Sequence, residues 1–472
     1  MGNTFAKLPL PHETIRSHLK SGLCKSSRLA ADPARPGTFR KVITVRHAVA
    51  IYVSSVLGAG ILVIPGLAAR TAGAGSLLAW AFLSLASYPF AFTFSSLSAR
   101  KPESGGIYSF AKEAFGRGTS SMTAWLFVAW VILGAPAITL AAGTYLAYAF
   151  PISGPGIFAV AAGILLLAYG INLRGIRLSG RVQVAVVVVM VAILALGVAA
   201  SSPRISTANF SPLFPDGFAA VGIASALIVW SYLGYENASN IAEEFKDPRR
   251  DFGRSVTISV LLISVLYMAV AFTVVGTGAY ESGGGVTPFA DMMSNVFGSF
   301  GGAAVSILAV IMIFSTVNAY TSGMGRLVYA AANDGNLPSF LAKVDQKSGV
   351  PRRALLALLA MIMVSLTVYY FAGVDVQSAF LAASGAAVLT YVVGSASGIK
   401  LLTVRGARKT LPWISLLVSI VILPFIGPLL AASLPVAAVG YIYGRFGQRG
   451  RVRDSLLGPS RRVSPKRNGR AL

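Results

Sequence analysis

The sequence contains few of the side chains on which most enzyme chemistry depends. Among 472 residues there is one cysteine, Cys24, and there are three histidines, His12, His18 and His47. A single cysteine excludes an internal disulfide and any cysteine-based metal or iron–sulfur site. Because all three histidines lie at or before the first apolar stretch, a histidine cluster within the later segments is also excluded. Most hydrolase and metalloenzyme classes are therefore ruled out, and we expect no metal and no cofactor.

Charged residues are scarce as well. They make up 12% of the chain, whereas apolar residues make up 55%. An ordinary soluble protein has about 25% charged residues, because a surface in contact with water needs them. A disordered chain would contain far fewer apolar residues. The composition therefore predicts a polytopic membrane protein.

Apolar segments long enough to cross a bilayer, which takes about 20 residues, recur along the chain. The predicted spans are 47–69, 74–98, 121–149, 154–173, 182–201, 217–242, 254–279, 300–330, 354–373, 376–402, 411–427 and 429–444. The alternating ten-residue segments that are typical of membrane barrels do not occur. We therefore expect an all-α polytopic membrane protein with about 12 transmembrane helices.

The distribution of basic residues predicts the orientation of these spans. The chain has 40 basic and 16 acidic residues, a formal net charge of +24. If residues 1–46 lie in the cytoplasm, only Arg70 and Arg204 among the basic residues fall on the opposite side. This asymmetry indicates that both termini are cytoplasmic. It also indicates that the basic loops contact anionic lipid headgroups, and that the charge does not serve nucleic acid binding.

The two ends of the chain are basic and lie outside the apolar spans. Residues 1–42 have no apolar h-region and contain four prolines, so they do not resemble a signal peptide. We expect residues 1–42 and 446–472 to be disordered cytoplasmic tails. Between them we expect a ten-helix core at 43–404, followed by two extra helices at 405–445.

Glycine-rich stretches interrupt two of the spans, five spans apart. The first span contains Gly58, Gly60 and Gly66, and the sixth contains Gly234. Non-helical backbone is tolerated within a bilayer where protein or a water-filled cavity satisfies its polar groups. Matched breaks are typical of inverted-repeat transporters, which predicts a five-plus-five repeat with halves at about 43–203 and 214–404. The alternative is that these glycines only allow close helix packing.

Two broken helices could recognise an amino acid without any charged side chain. The N-terminus of a half-helix exposes unpaired N–H groups and the positive end of the helix dipole, which suit a carboxylate. The C-terminus of a half-helix exposes carbonyl groups, which suit an ammonium group or a cation. The pair of breaks is therefore expected to bind a small zwitterion.

Polar side chains within the spans are further candidates. Glu236 lies well inside the sixth span, where a charged carboxylate costs about 2.5–3.5 kcal/mol. It fits either a proton-binding group whose charge follows conformation or a structural hydrogen-bonding group. Trp230 fits either a gate over the substrate or ordinary packing. Ser315 and Thr316, in the polar stretch 315–322, fit either contacts between helices or a sodium site.

Several motifs together resemble one superfamily over most of residues 43–410. They are Gly58-Ala59-Gly60-Ile61, residues 102–110 with 114–116, residues 234–236 with 242–250, and residues 326–330 with 334–338 and 350–351. In this order and spacing they resemble the amino acid–polyamine–organocation (APC) superfamily of transporters. Residues 239–254 and 398–402 are most similar to its bacterial branch that exports methionine and branched-chain amino acids.

The resemblance implies a LeuT-like fold with broken helices 1 and 6, and it implies residue roles. The backbone of Gly58, Ala59 and Gly60 would hold the substrate carboxylate. Carbonyl groups near Val56, Trp230 and Leu233 would hold its ammonium group. Trp230 would be an extracellular-side gate, and Glu236 a proton-sensing carboxylate. Some proton-coupled members carry a lysine in the fifth span where this chain has Met190, so coupling through a fixed amine there is not implied.

The combined expectation is a secondary active transporter and not an enzyme. It would export neutral, apolar amino acids by alternating access, in antiport with protons or, if the coupling ion is sodium, with sodium. The first alternative is an importer or exchanger of cationic amino acids or polyamines. A membrane-embedded enzyme acting on lipids is disfavoured by the scarcity of paired acids, histidine and cysteine, and a transporter-like sensor would need an extra folded domain.

Overall fold

The computed structural model describes residues 45, 49, 52–53, 56–100, 106–175, 180–235, 248–345, 348–403 and 406–446. Within these ranges every extended regular element is a helix, and the only β-type pairing is an isolated bridge between Asp345 and Val350. The predicted all-α architecture is therefore confirmed. Glu236 and the two predicted tails lie outside the described residues.

The α-helices are numbered here in chain order. They are α1 (Ile64–Ala72), α2 (Ser76–Arg100), α3 (Gly106–Phe115), α4 (Arg117–Ala149), α5 (Gly154–Leu173), α6 (Gly180–Ser201), α7 (Gly217–Ile228), α8 (Pro248–Thr277), α9 (Pro288–Asn333), α10 (Arg352–Ala372), α11 (Val376–Leu401), α12 (Leu411–Ile422) and α13 (Leu434–Phe446).

Nine helical segments of the described chain are long and apolar enough to cross a membrane, and Gly217–Tyr232 is a shorter apolar helix. Each of the twelve predicted spans overlaps a helical segment. Interrupted spans fall below the length needed because the break divides them into short helices. The prediction of a polytopic all-α membrane protein is confirmed, whereas the number of about 12 crossings stays a prediction.

The first predicted span loses its regular winding where the glycines stand. Gly58 is extended, with φ −64° and ψ 176°, and a short 3₁₀ helix follows at Ala59–Leu62. Helix α1 then begins one residue before Pro65, a position where proline costs little because the first N–H groups of a helix have no intrahelical partner. The break divides the span near its middle, as the sequence predicts.

The sixth span is interrupted in a similar manner. Helix α7 ends at Ile228 and continues as a 3₁₀ helix at Val229–Tyr232. Leu233 is then extended, with φ −76° and ψ 147°, and Gly234 has φ 126°. Positive φ is accessible to glycine at little cost, so Gly234 allows the chain to change direction here. Both breaks that the sequence predicts are thus present in the described residues.

Helix α4 is the central scaffold around which other helices pack. It contacts α5, α9, α11 and α13, and most of its residues are buried. A helix that is apolar on all sides is expected in such a position. Because α4 and α9 border the interrupted segments, they provide the walls of the space that the breaks open.

Three local features differ from the predicted spans. Helix α3, which lies between the second and third spans, was not predicted as a helix, although it buries Ile107, Tyr108 and Phe110. Helix α9 begins twelve residues before the predicted span because it continues across a kink at Gly298, φ 69°. In the eleventh span α12 ends at Ile422 and a 3₁₀ segment follows at Leu423–Ala432, because Pro424 and Pro428 cannot donate α-type hydrogen bonds. This segment is itself interrupted at Gly427, φ 65° and ψ −147°, near the predicted boundary between the eleventh and twelfth spans.

Candidate functional site: a cavity between the interrupted helices

A cavity of about 860 Å³, including its open side, lies where the two interrupted segments meet α4, α5 and α9. The lining residues are Val56, Gly58, Ala59, Gly60, Phe127, Trp130, Val131, Gly134, Ala135, Ile138, Tyr169, Trp230, Ser231, Leu233, Thr316, Val317, Tyr320, Thr321 and Met324. Residues from both interrupted segments and from three helices therefore border one shared space.

The structure brings together all six residues predicted to bind substrate. Val56, Gly58, Ala59 and Gly60 come from the first break, and Trp230 and Leu233 come from the second. The two groups are about 170 positions apart in the sequence, so their presence around one cavity supports the idea that the two breaks form one site. Their individual binding roles stay predictions.

The first break leaves backbone donors at the cavity. The N–H of Gly58 is used locally, since it donates to the carbonyl oxygen of Val56 at 2.7 Å. Ala59 and Gly60 begin the 3₁₀ helix Ala59–Leu62, and the first N–H groups of any helix have no partner within that helix. The N–H groups of Ala59 and Gly60 are therefore the natural donors for an anionic group in the cavity.

Buried tyrosines satisfy the carbonyl groups on the other side of the breaks. The hydroxyl of Tyr267, on α8, lies 2.9 Å from the carbonyl oxygen of Val56 and 2.9 Å from that of Ser231. The hydroxyl of Tyr145, on α4, donates to the carbonyl oxygen of Leu62 at 2.6 Å. The carbonyl oxygen of Val56 thus already accepts two hydrogen bonds, from the hydroxyl of Tyr267 and from the N–H of Gly58, so a substrate ammonium group would depend on neighbouring carbonyl groups.

Trp230 forms one wall of the cavity. Its indole makes edge-on contacts with Trp130 and Phe380, with ring centroids 6.3 Å and 5.2 Å away. The indole lies close to Gly60, because a Cβ placed on Gly60 would be 3.0 Å from Trp230 Cδ1. Trp230 is only partly buried. The side chain therefore separates the first break from the scaffold helices.

One face of α4, which sequence reasoning missed, forms the largest apolar wall. Phe127, Trp130, Val131, Gly134 and Ile138 follow the spacing of a single helical face and all line the cavity. Helix α4 is apolar on nearly every side, so no contrast between polar and apolar positions could single out this face. Only the position of the neighbouring helices reveals it.

Helix α9 contributes the polar part of the wall, and it separates the two residues predicted as a cation site. Thr316 lines the cavity, whereas Ser315 is not among the lining residues. The hydroxyl of Thr316 donates to the carbonyl oxygen of Met312 at 3.0 Å, and its methyl group faces Gly58. Both residues stay candidates by sequence, but only Thr316 adjoins the cavity.

No charged side chain lines the cavity among the residues that the structure describes. The polar groups there are backbone amides and the hydroxyls of serine, threonine and tyrosine. An environment of this kind suits a ligand whose charges are confined to a zwitterionic head that backbone groups can bind.

Comparison with known proteins gives a match along nearly the whole chain. The family model described as "Amino acid permease" matches residues 43–448. This range includes both breaks and every residue of the cavity.

Individual relatives share about a third of their residues with the chain. The uncharacterized amino acid permease YecA of Bacillus subtilis is 31% identical, covering 86% of this chain and 95% of the relative. The L-methionine/branched-chain amino acid exporter YjeH of Escherichia coli is 30% identical, covering 79% and 89%. The mitochondrial cationic amino acid transporter 3 of Arabidopsis thaliana is 28% identical, covering 66% and 55%.

Proposed function

Because the chain belongs to the amino acid permease family, it is a multi-pass membrane transporter and not an enzyme, and we propose that it exports neutral amino acids with apolar side chains in exchange for protons. The observation that carries this proposal is the cavity between the two interrupted helices. It combines free backbone donors with apolar walls and contains no charged side chain among the described residues.

The substrate head would bind to backbone groups. The carboxylate accepts hydrogen bonds from the N–H groups of Ala59 and Gly60, where the helix dipole of Ala59–Leu62 also favours negative charge. The ammonium group lies against carbonyl groups near Val56, Trp230 and Leu233. Fixed peptide dipoles balance both charges of the zwitterion, so no ionic side chain is needed.

The substrate side chain would extend toward α4 and α9. Phe127, Val131, Ile138 and Met324 provide apolar surface there. A charged side chain would lose its hydration without gaining a counter-charge from any described lining residue, and such desolvation is costly. The relative YjeH of Escherichia coli, an L-methionine/branched-chain amino acid exporter, supports a substrate of this class.

Proton coupling is proposed for Glu236, which lies outside the described residues but directly follows Tyr235 at the second break. A carboxyl group in this position would favour different conformations when protonated and when charged. Alternating access would then tilt the interrupted helices against the scaffold. If sodium is the coupling ion, the alternative site is formed by Thr316, which lines the cavity, together with the preceding residue Ser315.

The proposal places this transporter in a bacterial plasma membrane with both termini in the cytoplasm. Residues 43–404 would form the ten-helix core of two inverted repeats, and residues 405–445 would add two helices. Basic residues in the loops and at the helix ends, which include Arg174, Arg352 and Lys400, would contact anionic lipid headgroups on the cytoplasmic side.

Flux measurements in sealed vesicles test the substrate. We expect leucine and methionine to exchange at least about ten times faster than arginine or putrescine. A tenfold ratio corresponds to about 1.4 kcal/mol, and burying an unpaired charge costs more free energy than that. An outward-directed proton gradient should drive their accumulation inside the vesicles against a concentration gradient, because each proton that leaves is exchanged for an amino acid that enters, and a sodium gradient should not. Absence of amino acid flux under every gradient would refute the proposal.

Preferential flux of arginine or putrescine would instead support the second candidate, a transporter of cationic substrates. The specific observations that favour it are the cationic amino acid transporter among the relatives and the aromatic rings of Phe127, Trp130 and Trp230 at the cavity. Aromatic faces can bind cations in place of a carboxylate.

Replacing Glu236 tests the coupling step. Glu236→Gln keeps the side-chain shape and fixes the group in its uncharged form, so exchange should lose its dependence on pH. Glu281→Gln is the matched control, because Glu281 is an exposed carboxylate in the loop after α8 and should leave the pH profile unchanged. A Glu236→Gln protein with the pH profile of the wild type would exclude Glu236 as the coupling group.

A further inference from the structure

The indole of Trp230 occupies a slot that exists only because residue 134 is glycine. A Cβ placed on Gly134 would lie 2.7 Å from Trp230 Cζ3 and closer still to Cη2. Carbon atoms in contact normally lie about 3.5–4.0 Å apart. Any other residue at this position therefore forces the end of the indole out of its place.

Glycines limit the indole at both of its ends. The six-membered ring meets Gly134 on α4, and the five-membered ring meets Gly60 of the first break, where a Cβ would be 3.0 Å from Cδ1. The indole thus spans the distance from an interrupted segment to the scaffold. Because both contact points lack a side chain, the ring fits between them.

The remaining neighbours leave one direction for displacement. Phe380, which is fully buried, packs edge-on against the indole with centroids 5.2 Å apart. Trp130 packs against it in the same way at 6.3 Å. Trp230 itself lines the cavity, so part of the residue borders open space. An indole displaced by a side chain at position 134 would therefore move into the substrate space.

We propose that Gly134 is a positioning residue that fixes the place of the Trp230 indole and thereby sets the size of the substrate space. The α-helical conformation at this position does not require glycine, since Gly134 lies within the continuous helix α4. The requirement comes mainly from the indole, since the next nearest atom, Ala383 Cβ, would lie 3.3 Å from the added Cβ. The transport readouts below rest on the proposed amino acid transport.

The first test replaces Gly134 by alanine in the full-length protein in vesicles. Because the displaced indole obstructs the substrate, the rate of leucine exchange should fall about tenfold, which corresponds to about 1.4 kcal/mol and lies within the usual cost of overpacking. Alanine exchange should fall less, because a smaller side chain needs less of the space that the displaced indole takes. Gly163→Ala is the control: Gly163 is an exposed glycine in α5 with no atom within 4 Å of an added Cβ, and its exchange rates should match the wild type.

The second test asks whether the effect acts through the indole. Phenylalanine is shorter than tryptophan and does not reach Gly134, so Trp230→Phe should suppress the effect of Gly134→Ala. The double variant should transport leucine within about threefold of the Trp230→Phe single variant, because the overpacked contact is gone. A tenfold difference that persists between these two proteins would overturn the proposal, as would a Gly134→Ala protein that behaves like Gly163→Ala.

A third measurement does not depend on transport. The fluorescence of Trp230 is the difference between a protein and its Trp230→Phe counterpart, with the other four tryptophans as background. Acrylamide should quench this fluorescence about twofold more strongly in Gly134→Ala, since an indole out of its slot is less densely packed. Equal quenching of Trp230 in Gly134→Ala and in the wild type would refute the proposal that Gly134 positions the indole. If wild-type vesicles move no amino acid, the proposed function fails while this measurement still decides the role of Gly134.

Discussion

A single hydroxyl group links the two interrupted helices. Tyr267 is fully buried, and its hydroxyl lies 2.9 Å from the carbonyl oxygens of both Val56 and Ser231. A hydroxyl has one hydrogen, so it is shared between the two acceptors or alternates between them. This geometry couples the end of the first helix half to the 3₁₀ segment that carries Trp230.

Removing that hydroxyl should weaken both stability and transport. In Tyr267→Phe the carbonyl oxygens of Val56 and Ser231 both lose the hydroxyl donor, although that of Val56 keeps the N–H of Gly58. An unsatisfied buried acceptor costs about 1–3 kcal/mol. We expect a lower midpoint of thermal unfolding, measured by size-exclusion chromatography after heating. We also expect slower leucine exchange at equal protein amounts, because the two interrupted segments are no longer linked.

Tyr369→Phe is the matched control. The hydroxyl of Tyr369, on α10, donates to the carbonyl oxygen of Leu133 on α4 at 3.1 Å, so it links two scaffold helices and not the breaks. This variant should lose thermal stability with little change in exchange rate. Equal effects of the two substitutions on exchange would contradict a special role for Tyr267.

The sequence could predict residues whose chemistry is unusual for a bilayer, but not residues that act through shape. Gly58, Gly60 and Trp230 were found because glycines in a membrane span and an aromatic beside a break are conspicuous. Tyr267 and Gly134 were missed because tyrosine and glycine are common in apolar helices. Their importance depends on atoms more than 30 positions away in the chain, and no local pattern contains that information.

Helix α1, the second half of the first span, is packed directly against backbone. A Cβ placed on Gly66 would lie 2.9 Å from Pro288 Cγ and closer still to the carbonyl oxygen of Gly285. Gly285 in turn has φ 73° and would place its own Cβ 2.8 Å from the carbonyl oxygen of Gly66. Two glycines thus allow α1 to contact the loop before α9.

Gly66→Ala should therefore separate this helix from its neighbour. Because backbone atoms cannot rotate away as a flexible side chain can, we expect a loss of about 1–3 kcal/mol from overpacking, which exceeds the higher helix propensity of alanine. The measurement is the midpoint of thermal unfolding in detergent. Gly323→Ala, on an exposed part of α9 with no atom within 4 Å of the added Cβ, should be as stable as the wild type or slightly more stable. If both variants unfold at the same temperature, α1 tolerates the added group and the packing argument is wrong.

Among the helices, continuous spans were easier to predict than their interruptions. Helix α5 begins and ends at the predicted residues 154 and 173, because an apolar segment between polar loops defines both ends. The breaks near Gly58 and Gly234 were also predicted, since glycine weakens a helix in a bilayer. Helix α3 was missed because its ten residues are shorter than a span and its buried face depends on contacts with α4 and α11.

The arrangement of the chain across the membrane follows from charge more than from packing. Nearly all of the 40 basic residues fall on one side of the predicted spans, with Arg70 and Arg204 as exceptions. Positively charged loops are retained in the cytoplasm during insertion, so a miscount by one span would mix the two groups of loops. The charge pattern therefore predicts the side on which every loop lies, including segments outside the described residues.

The single cysteine of the chain makes this orientation directly measurable. Cys24 lies in the N-terminal basic segment, so a membrane-impermeant maleimide should leave it unmodified in intact cells and should modify it after permeabilisation. The reverse result is expected for Glu281→Cys combined with Cys24→Ser, because residue 281 is exposed in the loop after α8, on the side opposite to the basic loops. Modification is measured as a mass shift of the purified protein. The prediction is wrong if Cys24 reacts in intact cells while the cysteine at position 281 is protected. The basic loops would then face away from the cytoplasm, contrary to the charge rule on which the prediction depends.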